Sequence, residues 1–185
     1  MGGLVSANNS MYKGKVLIAH PKLDGSIFSK SVIYIYQDGV IGTNGIILNK
    51  KSDWDLAYMF DYKNYNYYSD DFVYLGGPVS TTAITLLHTD EFYSSNTLSI
   101  CDGLSVSSDN FMFEKIAEGN EPQNWRMFIG VCGWGDGQLK KEIENDKCWL
   151  LCEPDNRLVF NYTGEEQWEK AVEKYSQTMV DTFFA

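Results

Sequence analysis

The sequence contains few arginines and few histidines. Only two of its 185 residues are arginines, Arg126 and Arg157, and only two are histidines, His20 and His88. Acidic residues number 25 against 15 basic ones, which gives a formal net charge of −10. Because DNA binding depends on Lys and Arg side chains that neutralise phosphates, we expect no nucleic-acid partner.

Long apolar runs are also missing. The longest, residues 32–36 and 45–48, have the length of strands, whereas a membrane-spanning helix needs about 20 residues. A loose N-myristoylation pattern at Met1-Gly2 and Ser6 has no second, basic membrane signal beside it. We therefore predict a cytoplasmic protein without a membrane partner.

The sequence has neither the spacing of a metal site nor a nucleotide-binding fingerprint. Its four cysteines are Cys101, Cys132, Cys148 and Cys152, and none forms the close pair that zinc sites use. We predict reduced, buried thiols, with Cys148 and Cys152 on one face of a strand because they lie four residues apart. No metal and no cofactor are predicted.

Strand-forming segments dominate the chain, and several are joined by hairpin signals. Residues 31–36 read Ser-Val-Ile-Tyr-Ile-Tyr and are followed by a turn at Asp38-Gly39, and a second hairpin is predicted around Asp102-Gly103. Helices do not alternate regularly with the strands. This pattern predicts an α+β fold with a mostly antiparallel sheet, formed by a single domain over residues 15–185 after a flexible extension at 1–14.

Four helix starts are predicted from capping residues, one of them at Asp109 before a helix that extends through Ala117. Asp53 is placed at the start of a helix over Trp54–Phe60, and Asp136 before a helix over Gln138–Asn145. The sequence Thr163-Gly-Glu-Glu166 matches a capping box and precedes the longest helical pattern in the chain.

Two glycine-rich segments could carry chemistry. Gly76-Gly77-Pro78 follows a predicted strand and could hold an anion on backbone amides, although a tight structural turn is the favoured interpretation. Gly130–Gln138 runs from a strand into a helix start, where Cys132 could act as a reactive thiol, although a core cysteine is favoured there too. His88 could act as a base, with a structural histidine favoured. Glu142 cannot pair with Glu144 as acid and base, because residues two apart on a helix point in different directions.

Short blocks in a fixed order cover nearly the whole chain and resemble one protein family. They are Val16-Leu-Ile-Ala-His-Pro21, Ile27-Phe28, Ser31-Val-Ile-Tyr-Ile35, Gly45-Ile-Ile-Leu-Asn49, Leu75-Gly-Gly-Pro-Val79, Leu87-His-Thr89, Gly133-Trp-Gly-Asp-Gly-Gln-Leu139, Glu142-Ile143 and Trp149-Leu150. Together they resemble the YqgE/AlgH family of bacterial proteins. Cys132 departs from the family pattern, which more often has a small residue there.

The resemblance implies coiled, bifurcated, mostly antiparallel sheets with helices packed outside, and no established enzyme activity. One branch of the family is linked by name to the regulation of alginate production. The positions that match the family and could form a shared surface are Asn49, Gly76, Gly77, His88, Trp134, Gln138 and Glu142.

Three functions follow as hypotheses. The first is a non-enzymatic regulatory or interaction module with another protein as its partner, which requires an aromatic surface patch that includes Trp134. The second is a small-ligand binder or thiol-dependent enzyme at the Gly130–Gln138 turn, which for a Cys-His mechanism requires Cys132 and His88 to lie within reach of each other. The third is a DNA-binding transcriptional regulator, which the acidic charge disfavours.

Overall fold

A computed structural model describes residues 10–101 and 103–185. The strands in these residues are β1 (Val16–Ala19), β2 (Val32–Gly39), β3 (Gly42–Ile47), β4 (Lys51–Asp55), β5 (Phe72–Leu75), β6 (Val79–Thr89), β7 (Leu98–Cys101), β8 (Leu104–Ser107), β9 (Trp125–Trp134) and β10 (Trp149–Cys152). The α-helices are α1 (Leu56–Tyr62), α2 (Phe111–Ala117), α3 (Gln138–Glu144), α4 (Asn156–Phe160) and α5 (Gly164–Phe184), and a short 3-10 helix covers Pro21–Leu23.

The sheet branches at β9. Its main path runs β10-β1-β2-β3-β9-β6-β8-β7, and a β4–β5 ribbon joins β9 separately through β5. Along β9, Phe128 and Ile129 pair with β5, whereas residues 132–134 pair with β3. All of these pairings are antiparallel except that of β5 with β9. The predicted α+β class with a mostly antiparallel, bifurcated sheet is confirmed.

Glycines make the branch possible. Gly76 follows β5 and lies so close to β9 that an added Cβ would stand 2.2 Å from the carbonyl oxygen of Gly130. Gly130 itself has a φ of +76°, and its own Cβ would stand 2.3 Å from the carbonyl oxygen of Gly77. Only residues without a side chain allow two backbones to approach this closely.

Three apolar clusters form the core. Alternation along β1 sends Val16 and Ile18 to one face of the sheet and Leu17 and Ala19 to the other, as the two-residue period of a strand requires. The first face packs against α4 and α5, and the second packs against α3. The third cluster joins β5, β6 and β9 to α1 and α2.

The N-terminal segment is described from Ser10 onward. Met11 and Tyr12 donate their backbone N–H groups to the Asp38 carboxylate, and the Tyr12 ring is buried. Residues 11–14 therefore pack on the domain. Residues 1–9, which contain the lipidation pattern and most of the predicted extension, lie outside the described residues.

Several local predictions are wrong in detail. The cap of α1 is Asp55 rather than Asp53, because residues 51–55 form β4 first. Helix α3 begins after Gly137 with no side-chain cap, so Asp136 does not play that role. Thr163 precedes α5 but makes no capping bond, because its hydroxyl accepts a hydrogen bond from Tyr74 instead.

The two late cysteines do not share a face. Strand β10 begins at Trp149, so Cys148 lies just before it and packs in the cluster on the α3 side. Cys152 packs in the opposite cluster, beneath α5. The expectation of one shared face is wrong because it assumed that the strand began before Cys148.

Candidate functional site: an aromatic cleft

A cleft of about 320 Å³ lies where β9, α3 and β10 meet the segment that follows the 3-10 helix. Phe28 lines it from that segment, Trp134 from the end of β9 and Trp149 from the start of β10. Gln138 and Glu142 line it from one side of α3, because residues four apart lie one above the other on a helix. We call this site the aromatic cleft.

The Glu142 carboxylate is held in a fixed orientation. Its Oε2 accepts hydrogen bonds from the indole Nε1 of Trp134 at 2.9 Å and of Trp149 at 2.8 Å. Its Oε1 accepts a third bond from Nε2 of Gln138 at 3.0 Å. Gln138 is fixed in turn, since its Oε1 accepts from the backbone N–H of Gly135 at 3.0 Å.

The charge on Glu142 has no cationic partner. Within the described part of the chain no Lys, Arg or His nitrogen lies within 4.0 Å of its carboxylate. The only other charged side chain that lines the cleft among these residues is also acidic, Asp146. Lys141 reaches the Asp146 carboxylate at 3.4 Å. The aromatic cleft is therefore negative.

Two of the rings, Phe28 and Trp134, stand at steep angles to the third, Trp149. Phe28 and Trp149 have centroids 5.7 Å apart and planes at 74°, and Trp134 and Trp149 have centroids 6.2 Å apart and planes at 84°. Such edge-to-face pairs are favoured by the quadrupoles of the rings. Rings at these angles form the walls of a box rather than a flat surface.

Cys132 lines the cleft but has no character of a nucleophile. Its side chain is buried, its Sγ donates to the Gly76 carbonyl at 3.5 Å, and burial raises the pKa of the thiol to about 12. The thiolate, which is the reactive form, is therefore disfavoured. A core role for Cys132, the interpretation favoured from the sequence, agrees with this environment.

Comparison with known proteins places the chain in a family. The AlgH-like family (DUF179) matches residues 16–179. The chain belongs to the AlgH-like family. Among the relatives, a UPF0301 protein of Marinomonas sp. (strain MWYL1) is 35% identical over 164 residues, covering 86% of this chain and 87% of the relative. Another UPF0301 protein, from Methylococcus capsulatus, is 34% identical over 163 residues, covering 86% of this chain and 88% of the relative.

Solved structures agree with this assignment. The solution structure of the AlgH protein from Pseudomonas aeruginosa matches with a TM-score of 0.75 and 26% identity, over 94% of this chain and 92% of that one. A crystal structure from Corynebacterium diphtheriae matches the fold with a TM-score of 0.70 at 24% identity, over 88% and 86% of the two chains.

Six of the eight positions singled out from the sequence of this AlgH-like chain come together. Trp134, Gln138, Glu142 and Cys132 line the aromatic cleft. Gly76 and Gly77 lie at the branch of the sheet, in contact with residues 130–132. The amide of Gly76 donates to the Ile129 carbonyl at 2.8 Å, so this amide is not free to hold an anion.

Asn49 lies outside the aromatic cleft and connects β2 to the start of α5. Its side chain is buried, its Oδ1 accepts from the Val32 amide, and its Nδ2 donates to the carbonyls of Lys30 and Gly164. It thereby ties β2 to the first turn of α5.

His88 lies at the far end of the sheet from Cys132. His88 pairs with Trp125 in the β6–β9 register, whereas Cys132 lies seven positions further along β9 (132 − 125 = 7). At about 3.3 Å per residue the separation exceeds about 20 Å. A Cys132–His88 mechanism is therefore ruled out.

Two residues of the aromatic cleft were not singled out from the sequence. Phe28 and Trp149 both occur in blocks that carry the family resemblance, so the signal was present. Trp149 follows Glu142 by seven residues, so its nearness is local, whereas Phe28 comes from a segment distant in sequence that packs on Trp149.

Neither a metal site nor a membrane-spanning helix is found among residues 10–101 and 103–185. No three His, Cys, Asp or Glu side chains there are grouped as ligands of a metal ion. No helix in the same residues is both long and apolar enough to cross a membrane.

Proposed function

We propose that this protein is a non-enzymatic interaction module that holds a segment of a partner protein in the aromatic cleft. The observation that carries the proposal is the Glu142 carboxylate, fixed by three donors inside a box of aromatic rings. Preorganised aromatic walls around a single polar anchor are typical of a binding site. The proposed setting is the cytoplasm, because the four cysteines are free thiols, which are usual in a reducing compartment.

The support for this function differs from what the sequence suggested. The interaction hypothesis required an exposed aromatic patch that includes Trp134, and this support is lost because Trp134 is only 6% exposed. The proposal therefore rests on a concave site rather than on a surface patch. A regulatory role would follow from occupancy of the cleft by a partner, not from contact with DNA, which the net charge of −10 opposes.

The thiol-dependent alternative has lost its two requirements, since the Cys132 thiol is buried with a raised pKa and His88 is out of reach. Binding of a small ligand stays open as the second hypothesis, because the cleft is large enough for one.

The proposal is tested by selecting peptide ligands from a displayed random library and measuring their affinities by fluorescence anisotropy. Phe28→Ala removes one wall of the cleft, and Ile27→Ala changes its exposed neighbour, which does not line the cleft. We expect peptide affinity to fall about tenfold or more in Phe28→Ala and to stay unchanged in Ile27→Ala. Peptides that bind both variants as well as the parent protein would show that the cleft is not the site.

A thermal-shift panel separates the second hypothesis from the first. Nucleotides, phosphorylated metabolites, metal ions and duplex DNA are added in turn. A ligand at about 100 times its dissociation constant adds about 2.7 kcal/mol to the free energy of unfolding. A shift with a small molecule that disappears in Phe28→Ala would favour a small-ligand binder over a protein partner.

A further inference from the structure

We infer that the aromatic cleft recognises a lysine-type ammonium group, carried on the side chain of the bound partner. This inference rests on the proposed function and names the chemistry that the cleft selects. Three features of the cleft support it: the charge of Glu142, which no cation neutralises, the aromatic rings that line the cleft, and the hydrogen-bond acceptor positions still free on the Glu142 carboxylate.

The first feature is charge. A carboxylate that is oriented by its neighbours but not neutralised by a cation favours a positively charged group beside it. Glu142 is such a carboxylate, since its three partners are two indoles and an amide, all neutral donors. Asp146 at the edge of the cleft is paired with Lys141, so the unbalanced charge of the cleft is that of Glu142 alone.

The second feature is the aromatic lining. Cations are attracted to the faces of aromatic rings, most strongly to tryptophan, and boxes of such rings bind ammonium groups. Phe28, Trp134 and Trp149 all line one cavity. Phe28 and Trp134 each stand at a steep angle to Trp149, and the two tryptophans are 6% and 4% exposed. The alkyl stem of a lysine would pack against the same apolar walls.

The third feature separates lysine from arginine. A carboxylate has about four acceptor positions, and an arginine fork needs one free position on each oxygen. Oε2 of Glu142 already accepts two bonds, whereas Oε1 accepts only one. A single free position suits an ammonium, which acts as a point charge, better than it suits a planar guanidinium.

The test uses small probes rather than an unknown partner. Nα-acetyl-lysine methylamide is compared with the norleucine compound, which lacks the amine, and with the arginine compound. The readout is the NMR chemical shift of the five tryptophan indole N–H groups, assigned with single Trp→Phe variants. Trp134 and Trp149 report on Glu142 directly, and Trp54, which is exposed on another part of the fold, is an internal control.

We expect the lysine probe to shift the Trp134 and Trp149 signals with a millimolar dissociation constant and to leave Trp54 unchanged. We expect no saturable shift with the norleucine probe and affinity several-fold weaker for the arginine probe. Glu142→Gln should weaken lysine binding about tenfold. Glu144→Gln removes the same charge from an exposed position on the same helix and should have no effect.

Each contrary result has a distinct meaning. Equal binding of norleucine would overturn the role of charge, and stronger binding of arginine would overturn the choice of ammonium. Absence of any shift with the lysine probe would overturn the inference as well. In all three cases the proposed function would still be decided separately by the sensitivity of selected peptides to Phe28→Ala.

Discussion

At the scale of single residues, buried polar side chains in this protein act as clamps between distant segments. Asn49 joins β2 to the start of α5, and Glu142 joins β9 to β10 through two indoles. His88 is another such residue: its Nε2 lies 2.9 Å from the Ser107 hydroxyl and its Nδ1 lies 2.9 Å from the Thr89 carbonyl. Buried polar groups of this kind are costly to leave without a partner.

His88 should make stability depend on pH. Burial lowers the pKa of its imidazole below the ordinary value of 6.5, although the Thr89 carbonyl and the nearby carboxylates of Glu91 and Asp90 oppose this shift. The unfolded chain therefore binds the proton first as the pH falls. The stabilisation by neutral His88 is complete above about pH 6.5 and is lost as the pH falls toward the lower folded-state pKa, by at most about 1.4 kcal/mol per pH unit.

Urea unfolding at a series of pH values between 7.5 and 5 checks this prediction. His88→Gln should lower the free energy of unfolding at pH 7.5 and flatten its dependence on pH. His20→Gln changes the other histidine and serves as the matched variant for comparison. An unchanged slope in His88→Gln would refute the assignment.

At the scale of elements, α5 divides into an anchored half and an exposed half. Gln167 and Ala171 are fully buried, and the indole of Trp168 donates to the Ala19 carbonyl at 3.0 Å. Residues 176–185 are all exposed, and Phe183 and Phe184 are 84% and 81% exposed. The helix is thus held to the sheet by its first turns alone.

Substitutions in the anchored half of α5 should destabilise the protein, whereas substitutions in the exposed half should have little effect on its stability. The double variant Phe183→Ser, Phe184→Ser should change the free energy of unfolding by less than about 0.5 kcal/mol, because neither side chain is buried. Trp168→Phe keeps a ring but loses the bond to Ala19, and should cost about 1 kcal/mol or more. Both values come from urea unfolding, and a loss above about 1 kcal/mol in the double variant would mean that the helix end packs in solution.

Elements specified by local sequence were predictable, and those created by tertiary pairing were not. The β2–β3 hairpin was predicted from its β-branched and aromatic residues, although its turn lies at Val40-Ile41 and the predicted turn residues Asp38-Gly39 belong to β2. Strand β4, with the sequence Lys-Ser-Asp-Trp-Asp, has only Ser52 buried and exists because β5 pairs with it. Its formation moved the start of α1 from the predicted Trp54 to Leu56 and its cap to Asp55.

The candidate site was predictable in part for the same reason. Trp134, Gln138 and Glu142 are close in sequence, so one strand-to-helix connection brings them together. Trp149 lies seven residues after Glu142 and reaches the same carboxylate across the short α3–β10 connection. Phe28 reaches the cleft only because the segment after the 3-10 helix folds back over β10. Sequence periodicity carries no information about such long-range pairings.

At the scale of the whole molecule, one buried arginine joins the sheet to the C-terminal helices. Nη1 of Arg126 donates to the Leu48 carbonyl at 2.7 Å and to Oε1 of Gln167 at 3.2 Å. Nη2 donates to the carbonyls of Phe160 and Tyr162 at 3.2 and 3.1 Å. One of the two arginines in the chain therefore has a structural role.

Arg126→Met should destabilise the whole protein, because it leaves four buried acceptors without their donor while it keeps most of the apolar stem. We expect a loss of about 3–5 kcal/mol in urea unfolding, and a smaller loss for Arg126→Lys, whose ammonium cannot match the planar fork. Arg157→Met makes the same change at the exposed arginine of α4 and should stay within about 0.5 kcal/mol of the parent protein. Amide hydrogen exchange adds a local readout: the first turns of α5 should lose more protection than β1 and β2, because one of their links to the sheet runs through Arg126 and Gln167. Uniform loss of protection across the domain would mean that Arg126 contributes to stability without specifically docking α5.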